Sequence, residues 1–133
     1  MDASVAVKLF VMEPDADAAL DLLRTAHRLL APDFMPVEVA NGLWKKFRRL
    51  EISPAQVDDS VATLFGLGIQ WVGTHGLLRD AGHLAREIGH PIYDCLYLAL
   101  ARAHHVPLAT FDRRVTLAAR ATHTPLLRLK GRA

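Results

Sequence analysis

Four carboxylates, Asp2, Glu38, Asp94 and Asp112, stand where an acid can do chemistry in this 133-residue sequence. Each falls at the start of a predicted helix or at the end of a predicted strand. Clustered carboxylates repel one another and raise one another's pKa unless a cation neutralises them. All-oxygen donors select hard ions such as Mg²⁺ or Mn²⁺. Such a site can activate a water and stabilise the charge of in-line phosphodiester cleavage. Each acid also has a structural use. Asp94 and Asp112 could cap helices, Asp2 could be a terminal residue, and Glu38 could be a solvated charge in a first helical turn.

The elements that must position these acids follow from hydrophobic periodicity. The stretch Pro91 to His104 predicts a buried helix, with Ile92, Leu96, Ala99, Leu100 and Ala103 as its apolar stripe and Tyr93, Tyr97, Leu98 and Ala101 opposite. Pro91 suits the first turn, where its missing N–H costs nothing. Ser4 is expected to cap a short helix over residues 5–12, which Glu13-Pro14-Asp15 ends. A second helix is expected from about Ala16 to His27, and Arg28 to Ala31 reads as a buried strand.

A longer helix follows Pro36 and ends near Leu50, with Val37, Ala40, Leu43, Trp44, Phe47 and Leu50 expected in the core. Ser53-Pro54-Ala55-Gln56 has the pattern of a capping box, opening a helix to about Leu67. Ile69 to Gly73 predicts a strand, and Gly76 to Ile88 a helix. Pro107 to Asp112 and Pro125 to Leu129 predict two more strands, with a short helix from Arg113 to Ala121 between them. Short apolar strands alternating with helices predict an α/β fold with a mainly parallel sheet covered on both faces. Ligands in such folds bind beyond the carboxyl ends of the strands, where the helices begin. The four acids are therefore expected to converge on one sheet edge.

Length predicts a single domain over residues 1–133. A 51% hydrophobic content excludes a disordered chain. No apolar run is long enough to cross a bilayer, and Asp2 stands where a signal peptide would carry basic charge, so a cytoplasmic protein is expected. The single cysteine, Cys95, excludes an internal disulfide and a cysteine-rich zinc site and reads as a core residue. The seven histidines lack metal-ligand spacing, and Trp44 and Trp71 read as core. Net charge is only +2.

The chain resembles the PIN-domain ribonucleases of the VapC toxin type. The residues that carry the resemblance are Asp2-Ala3-Ser4-Val5-Ala6-Val7-Lys8, Pro36-Val37-Glu38-Val39-Ala40-Asn41, Tyr93-Asp94-Cys95-Leu96-Tyr97-Leu98-Ala99-Leu100-Ala101 and Thr110-Phe111-Asp112-Arg113-Arg114. They span almost the whole chain in the family's order. The resemblance implies a three-layer α/β/α sandwich and a Mg²⁺- or Mn²⁺-dependent endoribonuclease, the toxin of a toxin–antitoxin pair. It implies that Asp2 and Asp94 hold the metal, with Glu38 and Asp112 completing the catalytic cluster. Ser4, Asn41 and Thr110 would support the acids or touch substrate. It further implies a homodimer silenced by an antitoxin whose tail pushes a basic side chain into the acidic site. One departure stands out: family members carry a short apolar strand before the first Asp, and here only Met1 precedes it. The first strand is therefore expected to be missing or truncated, with the reading frame extending upstream.

Lys45, Lys46 and Arg49 form a basic cluster suited to RNA phosphates, and Arg113 beside Asp112 could steer a phosphate. The competing expectation is a non-catalytic module, either a degenerate PIN domain that binds RNA or protein, or a receiver-like fold. A receiver needs an Asp after its third strand, where this chain has Gly73-Thr74-His75.

Overall fold

Helix α6 (Ile92–Ala103) is the element on which the others are laid. Cys95 to Ala101 are all buried, so no face of its middle turns reaches water. That burial is why the sequence there is apolar all round, and truncating a core side chain such as Leu98 is expected to cost about 2–5 kcal/mol. Its first turn departs from the expectation of a wholly buried helix, because Ile92 and Tyr93 are exposed. These observations come from a computed structural model describing residues 1–130.

Along the chain, α1 (Ala3–Lys8), α2 (Ala16–Thr25), β1 (Leu30–Pro32), α3 (Met35–Arg48) and α4 (Pro54–Phe65) precede β2 (Gln70–Val72). A single turn of 3₁₀ helix (His75–Leu77), α5 (Leu78–Ile88), α6 and α7 (Arg113–Ala121) follow. Helix α5 packs along α6, and α6 lies against β1. Between α5 and α6 the chain turns at Gly89, whose φ of 63° lies in the left-handed region that glycine adopts without strain. The capping box at Ser53 and Gln56 forms as the sequence predicts.

Strands β1 and β2 pair in parallel, Leu30 opposite Gln70 and Pro32 opposite Val72. The two expected strands near the C-terminus contribute only one parallel bridge, Leu108 opposite Leu126. Short apolar runs with a few ladder bonds do not make full strands. The two halves are joined by the first two residues. The Met1 amino group donates to the Leu30 carbonyl at 2.9 Å, and the Asp2 amide donates to the Ala109 carbonyl at 3.0 Å. Met1 and Asp2 thus sit in the middle of the sheet. Beside Met1 lies an apolar cavity of about 500 Å³, walled by Leu30, Leu100, Val106 and Leu108 among others.

Helix α3 buries Met35, Val39 and Leu43. The expected stripe is therefore only partly met: Leu43 is buried as expected, but Val37 is 72% exposed, Trp44 47% and Leu50 91%. The i, i+4 line through Met35 competes with the line through Val37, and contact with α1 and α4 selects the former. Gly42 faces α1, and a Cβ there would stand 3.2 Å from Val7 Cγ2. This close approach brings the first turn of α3 to the start of α1. Cys95 is a buried free thiol, as expected. No helix among the described residues is long and apolar enough to cross a membrane.

Candidate active site

Asp2, not Ser4, caps α1. Its Oδ1 accepts from the Ser4 amide at 3.0 Å and the Val5 amide at 3.4 Å. Ser4 takes another part. Its hydroxyl donates to Asp2 Oδ1 at 2.5 Å and accepts from the Phe111 amide at 2.9 Å. Thr110 mirrors it, donating its hydroxyl to Asp2 Oδ2 and accepting from the Asp112 amide at 3.0 Å. The buried Asp2 carboxylate is thus the knot between the first helix and the 110–112 loop. Burial pushes its pKa up, against the pull of Ser4, Thr110, the Met1 amine and the Val5 amide.

Asp112 begins the next helix in the same manner, capping α7 through the Arg114 and Val115 amides at 2.7 and 3.3 Å. Asp94 does not cap. Pro91 holds the N-cap position of α6, and the Asp94 carboxylate instead meets His90 Nε2 at 2.7 Å. Glu38, in the first turn of α3, accepts a 2.6 Å hydrogen bond from the Tyr97 hydroxyl. Tyr97 is itself fixed by an edge-on contact with Phe34, their ring centroids 5.4 Å apart.

All four acids line one cavity of about 410 Å³, together with Ser4, Asn41 and Lys45 and, at one side, the ion-paired Lys8, Glu13 and Lys46. Burial raises the pKa of Glu38, the Tyr97 hydrogen bond opposes it, and the charges of Asp94, Asp2 and Asp112 raise it further. Helices α1, α3, α6 and α7 therefore bring their acids within electrostatic reach of one another. The Tyr97 phenol is driven far above its ordinary range by burial and by Glu38.

The carboxylates around this cavity offer oxygen donors only, and His90, which meets Asp94, is not among the lining residues. That chemistry fits a hard divalent cation, which binds through one or two carboxylates and keeps several waters. Among the described residues no three acids or imidazoles close in tightly enough to enclose an ion by themselves.

The basic side chains divide. Lys46 is ion-paired with Glu13 and lies 3.5 Å from Glu51, while Lys8 holds Glu13 at 2.7 Å. Lys45 and Arg49 are exposed and form no ion pair among the described residues. Arg113 opens α7 on the exposed side, beside a separate cavity shared with Arg120 and Arg128. Two residues of the site escaped the sequence reading. The apolar pattern of the helix groups Tyr97 with its core residues, although it lies one turn beyond Asp94. His90 was passed over for want of metal spacing, although i, i+4 from Asp94 is the spacing of a helical pair.

A model of the PIN domain family matches residues 1–121. Ribonuclease VapC3 from Pyrobaculum aerophilum is 32% identical over 117 residues, covering 86% of this chain and 89% of the relative. The crystal structure of PAE2754 from the same organism superposes with a TM-score of 0.68, over 92% of this chain and 88% of that one, at 21% identity.

Proposed function

The chain belongs to the PIN-domain family, of the VapC type, and from that premise we propose that it is a metal-dependent endoribonuclease, the toxin of a toxin–antitoxin pair. The observation that supports this most is the single cavity lined by Asp2, Glu38, Asp94 and Asp112, drawn from four elements far apart in sequence.

In this reading Asp2 and Asp94 hold Mg²⁺ or Mn²⁺. When bound, the ion neutralises the carboxylates and makes an attacking water available at neutral pH. The residues of the chain do the rest. Asp2 is locked in place by Ser4 and Thr110, so a ligand atom there needs no reorganisation. Glu38, its pKa raised by burial and its carboxylate oriented by Tyr97, is the acid best placed to take a proton from the attacking water. Asp112 adds negative charge at the α7 side, and Asn41 lies on the cavity wall within reach of substrate. Lys45 and Arg49 provide footing for RNA phosphates, and Arg113 stands next to Asp112 to meet the chain leaving the cavity. Lys46 belongs to the same surface but spends its charge on Glu13 and Glu51. The acidic cavity suits an antitoxin that inserts a basic side chain. A homodimer and a cytoplasmic location complete the proposal.

A second reading has one observation in its favour. Asp2 and Asp112 already serve as helix caps, so a PIN fold that binds RNA without cutting it would keep both. Incubating the purified protein with structured RNA, with and without Mg²⁺ or Mn²⁺, separates the readings. Metal-dependent cleavage that vanishes in Asp94→Ala supports the nuclease. Undiminished cleavage by that variant would remove it, and binding without cleavage by the parent chain would leave the second reading.

A further inference from the structure

Helix α3 carries an exposed aromatic that the acidic cavity does not use. Trp44 is nearly half exposed on a helix that buries Met35, Val39 and Leu43 and leaves Val37 exposed near its start. The Arg48 guanidinium, one turn on, lies over its ring at 5.4 Å from the centroid. Trp44, Lys45, Arg48 and Arg49 wall an open hollow of about 450 Å³ with no acid in it. Among the described residues none of these three cations has a carboxylate partner, in contrast to Lys8 and Lys46 on the same side of the molecule.

Lys45 lines both this hollow and the acidic cavity, so the two are neighbours. From Glu38 to Trp44 the helix rises about 9 Å. An indole face flanked by unpaired cations is the composition of a platform for single-stranded nucleic acid: bases stack on the ring, and the cations track the phosphates. A protein partner would also value an exposed Trp. The unopposed positive charge favours a polyanion.

We propose that Trp44 and Arg48 form a stacking platform for one unpaired base of the RNA, next to the cut site. The choice of ligand rests on the ribonuclease reading. The platform faces outward, so Trp44→Ala and Trp44→Phe are expected to fold as the parent does, which thermal unfolding verifies.

Binding of a labelled single-stranded oligouridine of about twelve nucleotides, a length within the usual site sizes, is measured in EDTA so that nothing is cut. Trp44→Ala is expected to weaken binding about ten-fold, and Trp44→Phe to recover most of it. Affinity for the same sequence held in a duplex is expected to be indifferent to both. In a Trp71→Phe background, where Trp44 is the sole tryptophan, the oligonucleotide is expected to quench its emission. Under cleaving conditions Trp44→Ala should raise KM and leave kcat near the parent's.

Equal affinity of Trp44→Ala and the parent for the single strand would overturn the platform. So would a Trp44→Phe variant as weak as Trp44→Ala. Loss of self-association in Trp44→Ala with RNA affinity intact would assign the face to a second copy, which overturns it as well. Failure of the nuclease reading shows differently. There the parent leaves RNA uncut in Mg²⁺, or Asp94→Ala still cuts it, while the Trp44 dependence of binding in EDTA persists.

Discussion

Two pairs of acids face the same cavity and are held in opposite ways. Asp2 and Asp112 are caps, their oxygens fixed by backbone amides at the starts of α1 and α7. Glu38 and Asp94 sit inside the first turns of α3 and α6 and are held only by side chains, Tyr97 and His90. The first pair belongs to the fold as much as to the site. The second pair caps no helix, so the fold gives less account of its presence than of the first. A helix start serves both uses because its free amides and its dipole favour a carboxylate whatever the carboxylate is for.

The difference is tested most sharply by removing one acid from each pair. Both Asp94→Ala and Asp2→Ala are expected to lower RNA cleavage by about a thousand-fold or more, since each removes a carboxylate to which the proposed mechanism gives the metal. Their stabilities should part. Asp94→Ala gives up a partly exposed pair with His90, worth about 1 kcal/mol or less. Asp2→Ala loses a cap and removes the acceptor of the Ser4 and Thr110 hydroxyls, costing about 2–3 kcal/mol. Urea unfolding of the two variants measures this; equal losses would erase the distinction between capping acids and cavity acids.

Tyr97→Phe probes the side-chain-held pair more gently. It keeps the ring against Phe34 and deletes only the hydroxyl that Glu38 accepts. Loss of a partner that orients a site residue commonly costs 10–100-fold, and about ten-fold is expected here. That hydrogen bond pulls the Glu38 pKa down, so its removal moves the acidic limb of the pH–rate profile to higher pH. An unmoved profile would mean that Glu38 does not titrate in the reaction.

A smaller effect lies in stability without metal. Asp2 and Glu38 both have pKa values raised above their ordinary ones, with burial the leading cause for each. A group whose folded pKa is raised contributes stability that is fully present below its unfolded pKa and is lost as pH rises through the folded value. In EDTA the protein should therefore unfold at lower temperature at about pH 7.5 than at about pH 5, and Mg²⁺ should restore most of the difference. Glu38→Gln should flatten the slope; an unchanged slope would place the titration elsewhere.

How much of this could be read from the sequence depends on whether a local pattern had competitors. Residues 92–103 admit only a helix, and all four acids were visible because each stands at an element boundary. Trp44 was assigned to the core because α3 offers two apolar lines, and the packing of α1 and α4 that chooses between them lies outside the helix. The strand expected at Pro107 to Asp112 became a single bridge because its neighbours there are the two residues Met1 and Asp2 and the short run at Leu126. The partners of the acids were hidden for a related reason. Tyr97 lies 59 positions from Glu38, and nothing local marks its hydroxyl as directed there.

The smallest expected effect separates two adjacent lysines that the sequence treats alike. Lys46 is mostly buried between Glu13 and Glu51, so its charge is already compensated, whereas Lys45 stands exposed with none of the described carboxylates as partner. A phosphate gains from a cation only what that cation does not already give to another anion. Lys45→Ala should therefore weaken RNA binding and lower the slope of log affinity against log salt by about 1, the signature of one lost phosphate contact. Lys46→Ala should leave that slope in place and show itself instead as a loss of about 1 kcal/mol in stability, as Glu13 keeps only Lys8. Titrations at three salt concentrations distinguish the two. A slope that falls for Lys46→Ala and holds for Lys45→Ala would mean that RNA displaces Glu13, and that the ion-paired lysine faces the substrate after all.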